Sequence, residues 1–299
     1  MAQTQTKPKA EKNAKKGSKL SSLKYYWTLL PFLVLVCMFE LVPLATMIIR
    51  SFSKDKGSGF TFEHYLTIFE KQIYLTAIKN SLGLTLFAAV AGMIIVFLLA
   101  MALSNSKKKM RGVYMSMLTL TSNFAGLPLA FSFITMLGYS GVFVLIGKQL
   151  GIQSLAEYNL YTVSGLALIY IYFQIPMGTL LMLPAFEGIH KEWKESAALM
   201  KANSFQFWWK VGIPVMMPSI AGTFTMLFAN ALTAYATPFM LIANSIPLLP
   251  VKISDMFVGD LRSRPELGSA LSITMLLIML LVIGLSNLVK RAYTKGERR

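Results

Sequence analysis

The chain reads as an all-α membrane protein of six transmembrane helices, and three observations lead there. Hydrophobic residues make up 55% of it, charged ones only 14%, and the mean hydropathy is +0.57. Soluble domains carry about 25% charged residues. Six apolar runs are each long enough to cross a hydrocarbon core of about 30 Å. Lys and Arg gather in alternate connections between those runs, as in proteins that keep basic loops on the cytoplasmic side.

The net charge of +16 follows the same alternation. Residues 1–24, loops 104–112 and 187–210, and the C-terminal end hold 20 Lys and Arg; segments 50–79, 138–159 and 242–266 hold 9. Basic charge flanking apolar runs reports topology and attraction to anionic lipid, not nucleic-acid binding. Both termini are therefore expected in the cytoplasm. One cysteine, Cys37, excludes a disulfide framework. The two histidines and thirteen acids are too scattered for a metal centre.

Residues 1–22 read as a disordered basic tail, not a cleaved leader. Residues 23–79 hold the first span, Trp27–Ile49, and an outer segment. Tyr25, Tyr26 and Trp27 suit the interfacial aromatic belt. Glu40 falls past the midpoint of this span. An intramembrane carboxylate is a functional candidate by default; the simpler reading is an anchor at the outer interface or a pair with another helix.

Residues 80–290 form a five-helix core, followed by a basic tail, 291–299. The second span, 80–103, carries Gly83, Ala88, Ala89, Ala91 and Gly92, which let helices approach closely in lipid. The third, 113–137, is polar in its middle, at Thr119, Thr121, Ser122, Asn123, Gly126 and Pro128. Such breaks line cavities or bond neighbouring helices. A half-buried helix, 142–150, is expected in the outer excursion that follows. The fourth span is 160–186. The fifth, 211–241, carries Pro214, Pro218, Asn230, Thr233, Tyr235 and Pro238, and the sixth is 267–289.

Between the fourth and fifth spans lies a mixed polar and aromatic loop, residues 187–210. Around Glu195, Ser196, Ala197 and Ala198 it reads as a short helix with a shallow surface. Asn203 tolerates the left-handed conformation, Ser204 is a plausible N-cap, and Phe205, Trp208 and Trp209 suit burial beneath the spans. Pro214 fixes a bend at the base of the fifth span.

This stretch resembles the "EAA" loop of type I ABC importer permeases, written E-A-A, three residues, G, nine residues, I, one residue, L-P. Glu195, Ser196 and Ala197 match the E-A-A, and Val211, Ile213 and Pro214 match the end. Lys201 stands where that family has its turn-forming glycine, so the turn is expected around Ala202 and Asn203. The resemblance extends over roughly 230 residues, through Asn80-Ser81-Leu82, Gly126-Leu127-Pro128 and Pro265 to Ser272. It is closest to permeases of the polyamine, iron(III), thiamine and 2-aminoethylphosphonate group; sugar permeases resemble it less.

The resemblance implies a multi-pass subunit of a bacterial inner (plasma) membrane that forms half of a pathway for a small solute. It implies three partners: a cytoplasmic ABC ATPase dimer, a second permease subunit (a different chain in preference to a second copy of this one), and an extracytoplasmic substrate-binding protein. The chain has no phosphate-binding Gly-x-x-x-x-Gly-Lys-Ser/Thr loop, so ATP and Mg would sit on the ATPase and this chain would bind no cofactor. Glu195, Ser196, Ala197, Lys201, Ile213 and Pro214 are the implied coupling residues. Asn123, Asn230, Tyr235 and Glu40 are the candidates for the pathway. An ion-gradient-driven secondary transporter is the alternative; it needs buried ionisable residues and an internal repeat, and only Glu40 is available. No catalytic set for a membrane enzyme can be assembled.

Overall fold

A computed structural model of the chain describes residues 29–55, 59–243, 245–258 and 263–296. The expected tail 1–22, the aromatic belt at 25–27, the turn at 56–58, Asp260 and Arg262 lie outside them.

The described residues are helical apart from one isolated antiparallel bridge, Ser53 to Phe60. In chain order they form α1 (Leu29–Ser51), α2 (Glu63–Glu70), α3 (Gln72–Ser104), α4 (Lys108–Ser122), α5 (Leu127–Leu137), α6 (Val142–Leu150) and α7 (Gln153–Ala156). Then come α8 (Val163–Glu187), α9 (Lys191–Leu199), α10 (Ser204–Leu232), α11 (Ala236–Ile242), α12 (Leu249–Val258) and α13 (Pro265–Gly296). Six stretches among them are long and apolar enough to cross a bilayer.

Helices α3 and α8 form the central pair, α10 packs on both, and α13 packs on α10. The C-terminal part of α1 lies on α13, while the apolar surface of α1 stays uncovered. Lipid offers no hydrophobic drive for helices to associate, so close contact of small residues carries the packing. At Gly178 of α8 an added Cβ would lie 2.6 Å from Val96 Cγ2 of α3 and 3.2 Å from Leu227 Cδ2 of α10. Three helices meet there because no side chain keeps them apart.

Polar side chains fix the ends. Thr162 accepts from the Gly165 N–H at 3.3 Å and caps α8. Ser81 accepts from the Leu249 N–H at 2.7 Å, and Asn80 donates to the Pro247 carbonyl at 3.2 Å, so the root of α12 is held on α3. Arg264 reaches Asp55 at 2.6 and 3.2 Å, tying the turn after α1 to the start of α13. That hydrogen bond raises the guanidinium above its ordinary range.

Three spans differ from the sequence reading. The third crossing, expected over 113–137, is divided at residues 123–126, and an apolar stretch of sufficient length, Leu127–Leu150, overlaps its second half and runs on through α6. The physical reason is polarity: α4 carries Lys, Arg, Ser and Thr, and none of its residues is buried. Helix α6 has the expected bounds, with Val144 and Gly147 buried. The fifth crossing is likewise divided, between α10 and α11, at residues 233–235. The sixth helix continues past the expected end at 289, to Gly296.

Candidate coupling loop and pathway cavity

Two places bring the candidate residues together. One is the connection from α8 through α9 into α10. The other is a cavity where the divided crossings face each other.

Helix α9 begins after His190, which is extended, and carries Glu192 in its first turn. Ala197 is 7% exposed and belongs to a core cluster with Phe186, Phe207, Met182 and Val96. It therefore anchors α9 to the bundle and is not part of an outward surface, as the motif alone had implied. The outward face consists of Glu195, Ser196 and Ala198, with Leu199 and Met200 at 86% and 76% exposure.

Lys201 has φ 57°, the left-handed conformation. Its N–H donates to the Ala198 carbonyl at 2.9 Å, and the Ala202 N–H donates to the Ala197 carbonyl at 3.0 Å. This pair of bonds is a Schellman closure, in which a left-handed residue satisfies the last free carbonyls of a helix. The turn is thus made by Lys201 itself, at the glycine position, and not around Ala202 and Asn203. Asn203 is extended instead and caps α10: its side chain accepts from the Gln206 N–H at 2.7 Å, while Gln206 Oε1 accepts from the Asn203 N–H at 2.9 Å. Ser204, expected as the cap, is the first residue of the helix.

The aromatics divide. Phe207 is buried, and Trp208 sits among Phe97, Phe186 and Phe207 with ring centroids 5.7–6.0 Å away. Lys194 Nζ lies 5.4 Å above the Trp208 ring. Phe205 and Trp209, expected inside, are 73% and 66% exposed and stack on each other. A widened π-helical turn, Trp208–Gly212, accompanies this division, and a Cβ at Gly212 would lie 2.4 Å from the Trp208 ring. Ile213 and Pro214 follow, half-buried, at the start of the regular helix. Pro214 has no N–H for a helical bond, and the widened turn directly precedes it.

The cavity is about 200 Å³ and is lined by Ala125, Gly126, Phe173 and residues Asn230 and 233–237. Gly126 takes φ 70°, and its carbonyl accepts from Thr237 Oγ1 at 3.3 Å, joining the two breaks. Asn230 Nδ2 points to Met177 Sδ at 3.9 Å, and Tyr235 stacks on Phe239. Asn230 and Tyr235 are therefore brought together. Asn123 lies beside the cavity, its amide donating to the Thr119 carbonyl at 2.8 Å to close α4.

Glu40 is far from both places in the packing order. It stands in a widened turn of α1, Cys37–Leu41, and is exposed. Among the described residues it has no ion-pair partner.

Sequence reasoning passed over two features of this region. Gln174 of α8 is fully buried against Gly92, and neither amide atom has a protein hydrogen-bond partner among the described residues. Arg111 of α4 reaches across to Glu187, the last residue of α8. Neither carries a local pattern that marks it.

The profile of the binding-protein-dependent transport system inner membrane component family matches residues 81–295. The chain belongs to this family. It is a permease subunit of ABC-type import systems and a multi-pass plasma-membrane protein. The permease is 24% identical over 270 residues to the spermidine/putrescine transport system permease protein PotC of Escherichia coli (strain K12), covering 89% of this chain and 95% of PotC. It is 25% identical to the multiple sugar-binding transport system permease protein MsmF of Streptococcus mutans, over 91% and 96% of the two chains. It is 26% identical to the ferric transport system permease protein FbpB of Actinobacillus pleuropneumoniae, where the match spans 36% of FbpB. Its fold is that of a chain in the crystal structure of a bacterial alginate ABC transporter in complex with alginate pentasaccharide-bound periplasmic protein. The TM-score is 0.75 at 20% identity, covering 96% of this permease and 99% of that chain.

Proposed function

We propose that this permease supplies half of a translocation pathway and takes its energy from a cytoplasmic ABC ATPase through α9. The observation that carries the reading is the build of α9. Ala197 and the Schellman closure hold it against the bundle, and Glu195, Ser196, Leu199 and Met200 stand free on its other side. A short helix fixed at its root and open along one face is suited to transmit a push from a docked protein. In this reading both termini face the cytoplasm, in accord with the placement of Lys and Arg. ATP and Mg bind the ATPase dimer, and Lys201, Ile213 and Pro214 set the geometry of the docking loop.

A second, non-identical permease would complete the pathway, and an extracytoplasmic binding protein would deliver the solute. The cavity lined by Asn230 and Tyr235 would meet the solute on its way. Similarity to PotC makes polyamines the first solutes to try, and phosphonates or related small polar solutes the next. The comparable match to MsmF keeps sugars in the trial set. An ion-driven mechanism has little in its favour: Glu40 is the sole acid within the six spans apart from those at their ends, and it faces outward.

The test is Glu195→Lys. The variant is expected to stay in the membrane at normal abundance while losing ATPase association and uptake. Wild-type uptake by that variant contradicts the docking role.

A further inference from the structure

Helix α4 joins the two candidate places. It begins next to the α8–α9 connection and ends at the break whose Ala125 and Gly126 line the cavity. Its fifteen residues span about 22 Å. It packs on α8 and touches α3 only slightly. No α4 residue is buried, and its half-buried positions are Arg111, Met115, Leu118, Thr121 and Ser122. Arg111, Met115, Leu118 and Ser122 follow helical spacing, so α4 is held along one narrow stripe. Small contact on one stripe leaves a helix free to slide or tilt as a unit.

The stripe starts with Arg111. Its guanidinium pairs with Glu187, the last residue of α8, four positions before Lys191, the first residue of α9. The other end of α4 is tied through Gly126, whose carbonyl accepts from Thr237 beside the cavity. Both side chains of the ion pair are partly exposed, so it contributes little to the stability of the fold. Its position is more telling than its strength: among the described residues it is the one ion pair between α4 and the root of the docking helix.

We infer that Arg111 and Glu187 are positioning residues that make α4 a lever, carrying movement of α9 to the cavity wall. This rests on the reading that α9 docks an ATPase. When α9 is displaced, the pair draws the near end of α4 with it. The far end then shifts residues 123–126 against α11, changing the mouth of the cavity. A static brace would need no charge at this point, and any well-packed pair would serve.

The test uses the purified complex with its ATPase, Cys37 replaced by Ser, and spin labels at Leu120→Cys on α4 and Leu168→Cys on α8, both exposed. Distances are measured without nucleotide and after trapping with Mg-ATP and vanadate, in the otherwise wild-type chain, Arg111→Glu, Glu187→Arg and the double exchange. The expected result is a nucleotide-driven shift in wild type, its loss in each single variant, and its return in the double exchange. All four should trap nucleotide and retain the ATPase. A shift that persists in the single variants overturns the lever, as does wild-type nucleotide trapping with no shift. A double exchange no better than the singles also overturns it, as does loss of the ATPase from the single variants, which would place the pair in the dock. Failure of any ATPase to accompany the wild-type chain would instead remove the docking reading itself, and would be seen before any distance is measured.

Discussion

The Ala202 N–H donates to the Ala197 carbonyl at 3.0 Å, and this bond ends α9 and aims the chain into α10. Ala197 at one end is buried in the bundle, and Ala202 at the other packs against the same cluster. Helix α9 and the fifth span are thereby fixed to one another. The residue between them that bears the strain is Lys201.

A non-glycine residue in the left-handed region costs about 1–2 kcal/mol. Lys201→Gly is expected to raise stability by about 1 kcal/mol, read as a higher unfolding midpoint in detergent, with ATPase association retained. Lys201→Asn, which tolerates the conformation and removes the charge, separates turn geometry from charge. Lys201→Val is expected to lower the midpoint, because a β-branched side chain fits that region poorly.

Gly178 has no room for a methyl group beside Val96 and Leu227. Overpacking of this kind costs about 1–3 kcal/mol. Gly178→Ala is expected to lower the unfolding midpoint and reduce the amount of folded permease in the membrane. Gly83, with open space around it, should accept the same change without effect.

Gln174 buries both amide atoms without a protein partner among the described residues. An unsatisfied buried polar group costs about 1–3 kcal/mol. Gln174→Leu, of similar volume, is expected to stabilise the fold by about 1 kcal/mol, and thermal unfolding of the purified variant reads it directly. A lower midpoint would show that the amide has a partner in the working protein.

Only two of the pathway candidates line the cavity. Asn230→Ala and Tyr235→Ala are expected to reduce uptake of the carried solute by about tenfold, the loss of one good polar contact of about 1.4 kcal/mol. Asn123→Ala should have a smaller effect, since its amide closes α4 from outside the cavity. Initial uptake rates in proteoliposomes with the binding protein present decide between them.

Much of this architecture could be read from the chain before any coordinates, and the reason is the bilayer. Apolar length and the alternation of Lys and Arg constrain a membrane protein more tightly than a soluble one. Six spans and the helix at 142–150 were legible on that basis. The division of the third span at residues 123–126 was not legible, because the break at Asn123 looked like polarity within one helix. The cap at Asn203 was legible in principle, since Asn followed three residues later by Gln is a capping-box pattern. Lys201 as the left-handed residue was not, because lysine carries no local preference for that region. The division of Phe205 and Trp209 from Phe207 and Trp208 depends on the widened turn, which no periodicity announces. Gln174 and the Arg111–Glu187 pair depend on which helices meet, and that is a tertiary fact.

The most direct test of the central claim is cross-linking from the open face of α9. With Cys37 replaced by Ser, Ser196→Cys carries a photoreactive label in membranes that contain the co-expressed ATPase, and Ser132→Cys on α5 serves as the control. A cross-link from position 196 to the ATPase that changes when nucleotide is trapped, with none from 132, is the result this account predicts. An ATPase that co-purifies with the permease but never cross-links from 196 would contradict it.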